Sequence, residues 1–221
     1  MTALAITDKN GNDVSMDLNA VGGNQAGTVV LADQGGNKFT LAPGLVALPV
    51  QSEGIKTGYM YAILGFTPVA TPTDIIEIQG SATKTVRIRR VWMGGGATAA
   101  ANMPITGLRR SAADTTALVR TAVAAFVPDT AYAAATAVVS SIGTANPGVL
   151  GTQVGGIAAA GRIQLPALAT GLGASPLIWD FDINAVVLRG VSQFFYLNMG
   201  GTAVPGGGVF DFVIWTTEDA S

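Results

Sequence analysis

The sequence predicts an all-β protein, a jelly-roll-like β-sandwich preceded by an extended N-terminal arm rich in Gly and Asn. Three observations support this fold class. From Tyr59 onward, short apolar runs alternate with turns of Gly, Pro and Asn. Gly and Pro interrupt nearly every window long enough for a helix. Strand-like segments recur about every 8–12 residues, which is typical of sandwiches and jelly rolls.

Residues 1–56 are the first predicted unit, the N-terminal arm. The segment is rich in Gly, Asn, Asp and Gln and has few large apolar residues from which to build a core. Asn10-Gly11, between short alternating segments, favours a type I′ hairpin, and Gly35-Gly36-Asn37 is a second candidate turn. We therefore expect an extended arm with short hairpins that becomes ordered against other chains.

Residues 57–221 are the second predicted unit, the jelly-roll-like β-sandwich domain. Val86 and Ile88 share one face of a predicted strand because they stand two residues apart. Near the C-terminus, the side chains at 210, 212 and 214 oppose those at 211, 213 and 215 in the same way. The predicted strands span residues 59–66, 74–79, 83–93, 103–110, 117–124, 131–140, 155–165, 177–181, 185–188, 193–198 and 210–216.

The composition predicts self-association. Only 12% of the 221 residues are charged, about half the share in ordinary soluble domains. Either uncharged polar residues coat a monomer, or neighbouring subunits bury much of the surface. We favour burial by neighbours, with a homotrimer as the preferred state. The net charge of −2 gives no bias toward nucleic acid or anionic lipid.

No membrane association is expected. The chain has no run of about 20 apolar residues, and its start, MTALAITDKNGND, lacks the basic-then-apolar layout of a signal peptide.

Several kinds of catalytic site are excluded because the chain contains no His and no Cys. A Ser-His-Asp triad, a Cys-His pair and most zinc sites need one of them. Asp180 and Asp182 would share a strand face and are a candidate carboxylate pair. Their alternation with aromatic residues is more typical of solvent-facing positions or of ion pairs with arginine. We therefore expect no enzyme, no cofactor, no metal and no small-molecule substrate.

One glycine motif imitates a dinucleotide-binding fingerprint. Gly94-Gly95-Gly96 with Ala99 matches the G-x-G-x-x-A pattern, but the fingerprint also needs a helix that opens at the glycines. Pro104 and Gly107 interrupt any such helix. The motif therefore indicates a flexible glycine turn between two strands.

A cluster of arginines is the strongest candidate for an interface. It holds five of the twelve cationic residues on two strands that we expect to lie near each other. It could contact an acidic partner surface, while nucleic acid is disfavoured because no aromatic residues interleave with the cations. The alternative is a solvated strand face paired with Asp74, Glu77 or Asp114. The candidate interface residues are Arg87, Arg89, Arg90, Arg109 and Arg110, together with Val29, Val30, Leu31, Phe39 and Leu41 of the arm.

Several segments resemble a group of tailed-bacteriophage virion structural proteins. They include MPITGLRRSAADT, TANPGVLGTQVGGI, LIWDFD, VVLRGVSQFFYLNMGGTAVPGGG and VIWTTED, together with the polar N-terminal segment. The resemblance covers most of the chain but consists of turn and strand patterns without a chemical signature. It implies a trimeric capsid decoration (cement) or head-fibre protein located in the virion and assembled in the host cytoplasm. The implied partners are the major capsid protein or other virion proteins.

Two alternatives remain open. One is a structural protein of the tail, baseplate or fibre. The other is a glycan-binding module in which exposed aromatic rings form a platform. Exposure of the rings distinguishes a glycan-binding module from a structural protein, since an exposed cluster favours sugar binding and buried rings favour a scaffold. The candidate platform residues are Trp92, Trp179, Trp215, Tyr59, Tyr61 and Tyr196.

Overall fold

The fold is described from a computed structural model. It covers residues 57–116, 118–170, 175–181 and 184–220, together with the backbone of residues 6–7 and 13–14. The chain divides into two compact units, Met1–Ser52 and Glu53–Ser221.

A short β-ladder encloses the first predicted turn. β1 (Ile6–Thr7) pairs antiparallel with β2 (Asp13–Val14). Thr7 lies opposite Asp13, so residues 8–12 connect the two strands. A two-residue turn at Asn10-Gly11 would place Thr7 opposite Val14, so the observed register differs from the predicted one by one residue. The second candidate turn, Gly35-Gly36-Asn37, lies outside the described residues.

Twelve strands occupy the described part of the second unit. One 3₁₀ turn, Leu168–Thr170, is also present. No helix in the described ranges is long and apolar enough to cross a membrane. The strands are β3 (Thr57–Phe66), β4 (Asp74–Gln79), β5 (Lys84–Gly96), β6 (Ala101–Arg110), β7 (Arg120–Val123), β8 (Ala125–Phe126), β9 (Val138–Ile142), β10 (Gln153–Leu165), β11 (Leu177–Asp180), β12 (Val186–Arg189), β13 (Phe194–Asn198) and β14 (Val209–Ala220).

The strands form two antiparallel sheets with the strand order of a jelly roll. One sheet runs β10-β6-β13-β4-β9-β7, and the other runs β11-β5-β14-β3-β8, with β12 also paired to β5. We letter β3, β4, β5, β6, β10, β11, β13 and β14 from B to I. The first sheet then contains the strand order C-H-E-F and the second the order B-I-D-G, which together define a jelly roll. We call them the CHEF sheet and the BIDG sheet. The predicted all-β, jelly-roll-like sandwich is confirmed, while the predicted arm, residues 1–56, lies outside the described residues except for β1 and β2.

The core lies between the two sheets and follows the predicted alternation. Phe210, Phe212 and Ile214 of β14 are fully buried, as are Val86 and Ile88 of β5. An aromatic group joins the two sheets. Phe181 packs edge-on against Trp179 of the BIDG sheet and against Phe195 of the CHEF sheet, with ring centroids 6.3 and 6.1 Å apart.

One predicted strand begins later than its sequence pattern suggests. The sequence predicts a strand over 131–140, whereas β9 spans Val138–Ile142. The carboxylate of Glu218 accepts hydrogen bonds from the backbone N–H groups of Thr136 and Ala137, both at 2.8 Å. These N–H groups are therefore bonded to a side chain in place of a strand partner.

The glycine motif has a different structure from the predicted turn. Gly94, Gly95 and Gly96 are the last three residues of β5, and β6 follows after residues 97–100. No helix opens at these glycines, as expected.

The segment between β6 and β10, residues 111–152, covers part of the outer face of the CHEF sheet. It contributes β7, β8 and β9, which extend both sheets. A second, smaller apolar cluster forms beneath it, in which Phe194 and Tyr196 of β13 pack with Ile142, Ala113 and Leu118. The outer face of this sheet is therefore partly buried, which explains why the first four residues of β13, 194–197, are all buried.

Candidate functional site

The five candidate arginines do not form one face. Arg87, Arg89 and Arg90 belong to β5 in the BIDG sheet, whereas Arg109 and Arg110 belong to β6 in the CHEF sheet. The sequence predicted that the two strands lie near each other, but they belong to opposite sheets, because in a jelly roll the chain crosses to the opposite sheet between strands D and E.

Each of these arginines has its own surroundings. Arg87 pairs with Asp219 at 2.7 Å, and Arg90 forms an exposed pair with Asp180. Arg109 lies 3.5 Å from the side-chain oxygen of Gln193. Arg110 is buried. The alternative that the sequence left open, a solvated strand face paired with Asp74, Glu77 or Asp114, gave the right partners for Arg110. It was wrong about solvent, because Arg110 is buried.

Arg110 is the centre of an ion cluster that we call the buried ion cluster and define as Asp74, Glu77, Arg110, Asp114 and Arg120. Its first four members are buried, and Arg120 at its edge is 33% exposed. Its guanidinium lies 2.6 Å from Oδ2 of Asp74 and 3.6 Å from Oδ1 of Asp114. Both carboxylates have no exposed side-chain area, and the Arg110 side chain is 5% exposed. The cluster lies on the outer face of the CHEF sheet, where residues 111–152 cover it.

The second half of the buried ion cluster is a bidentate ion pair. Arg120 donates from Nε and Nη2 to the two carboxylate oxygens of Glu77, at 2.8 and 2.7 Å. The Tyr196 hydroxyl donates to Glu77 at 2.5 Å and accepts the backbone N–H of Asp114 at 3.0 Å. Burial, followed by the hydrogen bond to Glu77, raises the pKa of Tyr196, so the phenol remains protonated and acts as a donor.

Burial raises the pKa of Asp114 in the buried ion cluster. Desolvation is the largest cause that raises its pKa, and the hydrogen bond and negative charge of Asp74 add to it. The backbone N–H of Gly151 and the charge of Arg110 act in the opposite direction, and the resulting pKa is about 7. Asp74 and Asp114 thus share one guanidinium, and near neutral pH Asp114 holds a proton part of the time.

The buried ion cluster fixes residues 111–152 to the jelly roll. Asp114 accepts the N–H of Gly151 at 2.8 Å, and Arg110 donates to the Gly151 carbonyl at 2.7 Å. A reacting carboxylate must reach its substrate, whereas these carboxylates are covered. In the described part of the chain, no group of three or more acidic side chains is placed to hold a metal ion.

The six aromatic residues of the candidate platform separate into two groups. Tyr59, Tyr61, Trp179 and Tyr196 are all less than 8% exposed. Trp92 and Trp215 are half-buried on the outer face of the BIDG sheet.

An open groove of about 470 Å³ lies beside Trp215, and we call it the outer groove. A β-bulge shapes one side of it. The register of β14 against β5 shifts between Trp215 and Thr216, so that Arg89 is the extra residue beside Arg90. The lining residues are Gly58, Tyr59, Met60, Arg89, Arg90, Phe126, Pro128, Asp180, Trp215, Thr216 and Thr217.

An apolar edge is the other notable surface. In the described residues β10 pairs only with β6, and every residue from 153 to 158 is exposed. We define the β10 edge patch as Val149, Leu150, Val154 and Ile157, whose exposed fractions are 57, 43, 38 and 59%. Residues 130–161 contain no charged side chain, so nothing charged interrupts the patch from within its own segment.

The β10 edge patch was not predicted as a site from the sequence, whereas the outer groove contains Tyr59 and Trp215 of the candidate platform and Arg89 and Arg90 of the candidate interface. The missing charge over residues 130–161 was the visible signal for the β10 edge patch. For the outer groove the sequence named single residues but gave no signal that they meet, because the lining comes from β3, β5, β8, β11 and β14 together with Pro128. The arm candidates Val29, Val30, Leu31, Phe39 and Leu41 lie outside the described residues, as does Asp182.

No protein-family model matches the chain, and no curated protein or solved structure matches it significantly. Its function must therefore be inferred from its own residues and geometry.

Proposed function

We propose that this chain is a non-enzymatic structural subunit of a homo-oligomeric assembly. The β10 edge patch is the observation that carries the proposal. β10 is 13 residues long, and its first half exposes apolar side chains and a strand edge together. Soluble monomers usually protect such edges with charge, proline or a covering segment, because a free edge pairs with other chains. Here the bulge around Gly155 is the main protection visible in β10 itself, and a neighbouring subunit would supply the rest.

The composition supports the same proposal. A monomer with 12% charged residues has few groups with which to keep apolar patches apart in solution. Burial of the β10 edge patch in a homotrimer removes apolar area and satisfies backbone groups at the same time.

We further propose that the assembly is a tailed-phage virion and that the chain is a capsid decoration protein. Its partner would be the major capsid protein, whose lattice it would bind and stabilise in a head assembled in the host cytoplasm. The sequence resemblance supports this role, while the jelly roll alone does not, because many unrelated proteins share it. In a lattice, many weak contacts made together hold each subunit firmly. A tail, baseplate or fibre protein would use the same self-association.

Light scattering on three proteins tests the self-association. We expect the wild type to be a trimer at micromolar concentration. Each stable contact between its subunits should bury at least about 1,000 Å² in total. The substitution Ile157→Lys places a charge on the strand edge and should shift the protein toward monomer. Val191→Lys is the matched control, because Val191 is 53% exposed but lies in the turn between β12 and β13. A monomeric wild type would contradict the proposal.

Cosedimentation with phage heads tests the virion role separately. Purified trimer should sediment with heads of the phage that encodes it, and deletion of residues 1–56 should weaken this binding if the arm makes the lattice contact. A trimer that fails to bind heads would leave self-association standing and contradict the decoration role. A truncated protein that binds as well as the full chain would exclude the arm as the anchor.

A further inference from the structure

We propose that the outer groove is a carbohydrate site that binds a pyranose-containing glycan. The proposal does not depend on the virion role. The groove combines a volume within the range of small-ligand sites, aromatic and apolar lining, and a few polar groups at one side.

The apolar part of the groove is a row of side chains across three strands. Met60 of β3 lies opposite Phe126 of β8 on one side and opposite Trp215 of β14 on the other. With strands about 4.8 Å apart, the two aromatic residues stand roughly 10 Å apart across Met60. Phe126 is 58% exposed and Trp215 is half-buried. A pyranose ring has one face of C–H groups, and an exposed aromatic ring offers that face an apolar support.

The polar part of the groove suits hydroxyl groups. Arg90 of β5 lies opposite Trp215 of β14 on one side and opposite Asp180 of β11 on the other. Its Nε donates to Oδ2 of Asp180 at 3.0 Å, and the two side chains are 51 and 43% exposed. A guanidinium presents several N–H donors in a plane, and a carboxylate presents acceptors. Neighbouring sugar hydroxyls both donate and accept, so this pair is complementary to them in charge and in hydrogen bonding.

Two local features shape the groove around such a ligand. The bulge at Arg89 directs two consecutive arginines toward the groove, and bulges that re-aim side chains are common beside binding sites. On the opposite side, Gly58 lies across from Thr217 and leaves open space above the sheet. A Cβ atom at Gly58 would meet nothing closer than the Thr216 carbonyl at 3.9 Å.

Trp92 extends the aromatic surface beyond the groove. It stands two residues from Arg90 on β5, so it is the diagonal neighbour of Trp215, at about 7 Å between Cβ atoms. Its ring lies against Gly94, where an added Cβ would be 3.1 Å from Cη2. A glycan of several units therefore fits this surface better than a single sugar. A nucleic acid is disfavoured, because it requires a basic groove along its phosphates and the chain has a net charge of −2.

The experiment titrates the full chain with four soluble hexasaccharides, namely cellohexaose, maltohexaose, chitohexaose and mannohexaose. Tryptophan fluorescence reports on Trp215 and Trp92, and saturation-transfer NMR identifies the sugar face that contacts the protein. Gly58→Leu fills the groove without removing any side chain, and Trp215→Ala removes the aromatic support. Gly206→Leu is the control, since an added Cβ there also meets nothing within 4 Å and Gly206 lies in the turn before β14, outside both the groove lining and the β10 edge patch.

We expect at least one hexasaccharide to bind the wild type, and both groove variants to weaken that binding at least about tenfold. The control should stay within about twofold of the wild type. Gly58→Leu keeps the test decisive if Trp215→Ala fails to fold. The proposal is overturned if no hexasaccharide binds at about 10 mM, a concentration that reveals even millimolar affinity. It is also overturned if Gly58→Leu binds as the wild type does, or if Gly58→Leu changes the oligomeric state, which would make the groove a subunit contact.

Discussion

The guanidinium of Arg110 and the carboxylate of Asp74 form an ion pair, 2.6 Å from Nη2 to Oδ2, in which neither side chain is more than 5% exposed. Arg110 also lies over the ring of Tyr196, with its Cζ atom 5.3 Å from the ring centroid. Removing one member of such a pair leaves the other charge buried, which usually destabilises a protein more than the pair itself stabilises it.

The first prediction concerns the loss of Asp74. Asp74→Ala should lower the free energy of unfolding by about 3 kcal/mol, the lower end for a broken buried pair. We expect the lower end because Asp114 can then ionise and take over part of the pairing with Arg110. Asp180→Ala is the matched control, since its pair with Arg90 is exposed and should contribute less than about 1 kcal/mol. Urea denaturation measures both, and equal losses would contradict the structural assignment.

The second prediction is a pH dependence that Asp114 introduces. Its pKa is about 7 in the folded protein, against an ordinary value of 3.8. Between these values the folded state binds a proton that the unfolded state has released. This contribution to stability is therefore complete below about pH 4, declines as the pH rises, and is absent above about pH 7.

The substitution Asp114→Asn isolates this contribution. An asparagine is neutral at every pH and can donate to Asp74 as the protonated carboxyl does. The free energy of unfolding of the wild type, minus that of the variant, should therefore fall between pH 4 and pH 7 and level off above. Urea denaturation at several pH values measures this difference. A difference that stays constant, or that rises with pH, would show that Asp114 does not hold the proton.

The sequence was sufficient to predict strands, because their signal is local. Alternation along β14 and the turn residues between runs depend on neighbours in the chain, and the structure has β4 at the predicted bounds, Asp74–Gln79. The late start of β9 was not predictable in this way. The group that bonds the N–H groups of Thr136 and Ala137 is Glu218, some eighty residues away in the chain.

The candidate sites depend even more on contacts between residues that are far apart in the chain, which local sequence patterns do not show. The sequence named Arg110 as an interface residue, but the covering segment 111–152 and the carboxylates of Asp74 and Asp114 bury it. Whether a residue of β6 faces solvent depends on what covers the outer face of its sheet, and alternation does not contain this information. The outer groove likewise depends on which strands the jelly roll brings side by side, as with Phe126, Met60 and Trp215.

The third prediction concerns the close approach of the two sheets at Gly107 of β6. A Cβ atom there would lie 2.6 Å from Cζ of Phe195 and 3.2 Å from the ring of Trp179. Both rings belong to the aromatic group that joins the sheets, so neither can move without disturbing Phe181. Gly107→Ala should therefore lower the free energy of unfolding by about 1–3 kcal/mol, as overpacked cores do.

Gly156→Ala separates this crowding from the general effect of replacing a glycine in a strand. Gly156 also lies within a strand, β10, but an added Cβ would meet nothing within 4 Å. In an open strand position, alanine restricts the unfolded chain more than glycine does, so this variant should be neutral or slightly stabilised, by up to about 1 kcal/mol. Thermal or urea unfolding of the two variants gives the comparison. If Gly107→Ala is as stable as Gly156→Ala, the rings of Phe195 and Trp179 do not pack against this glycine, and the sheets are less closely joined there than described.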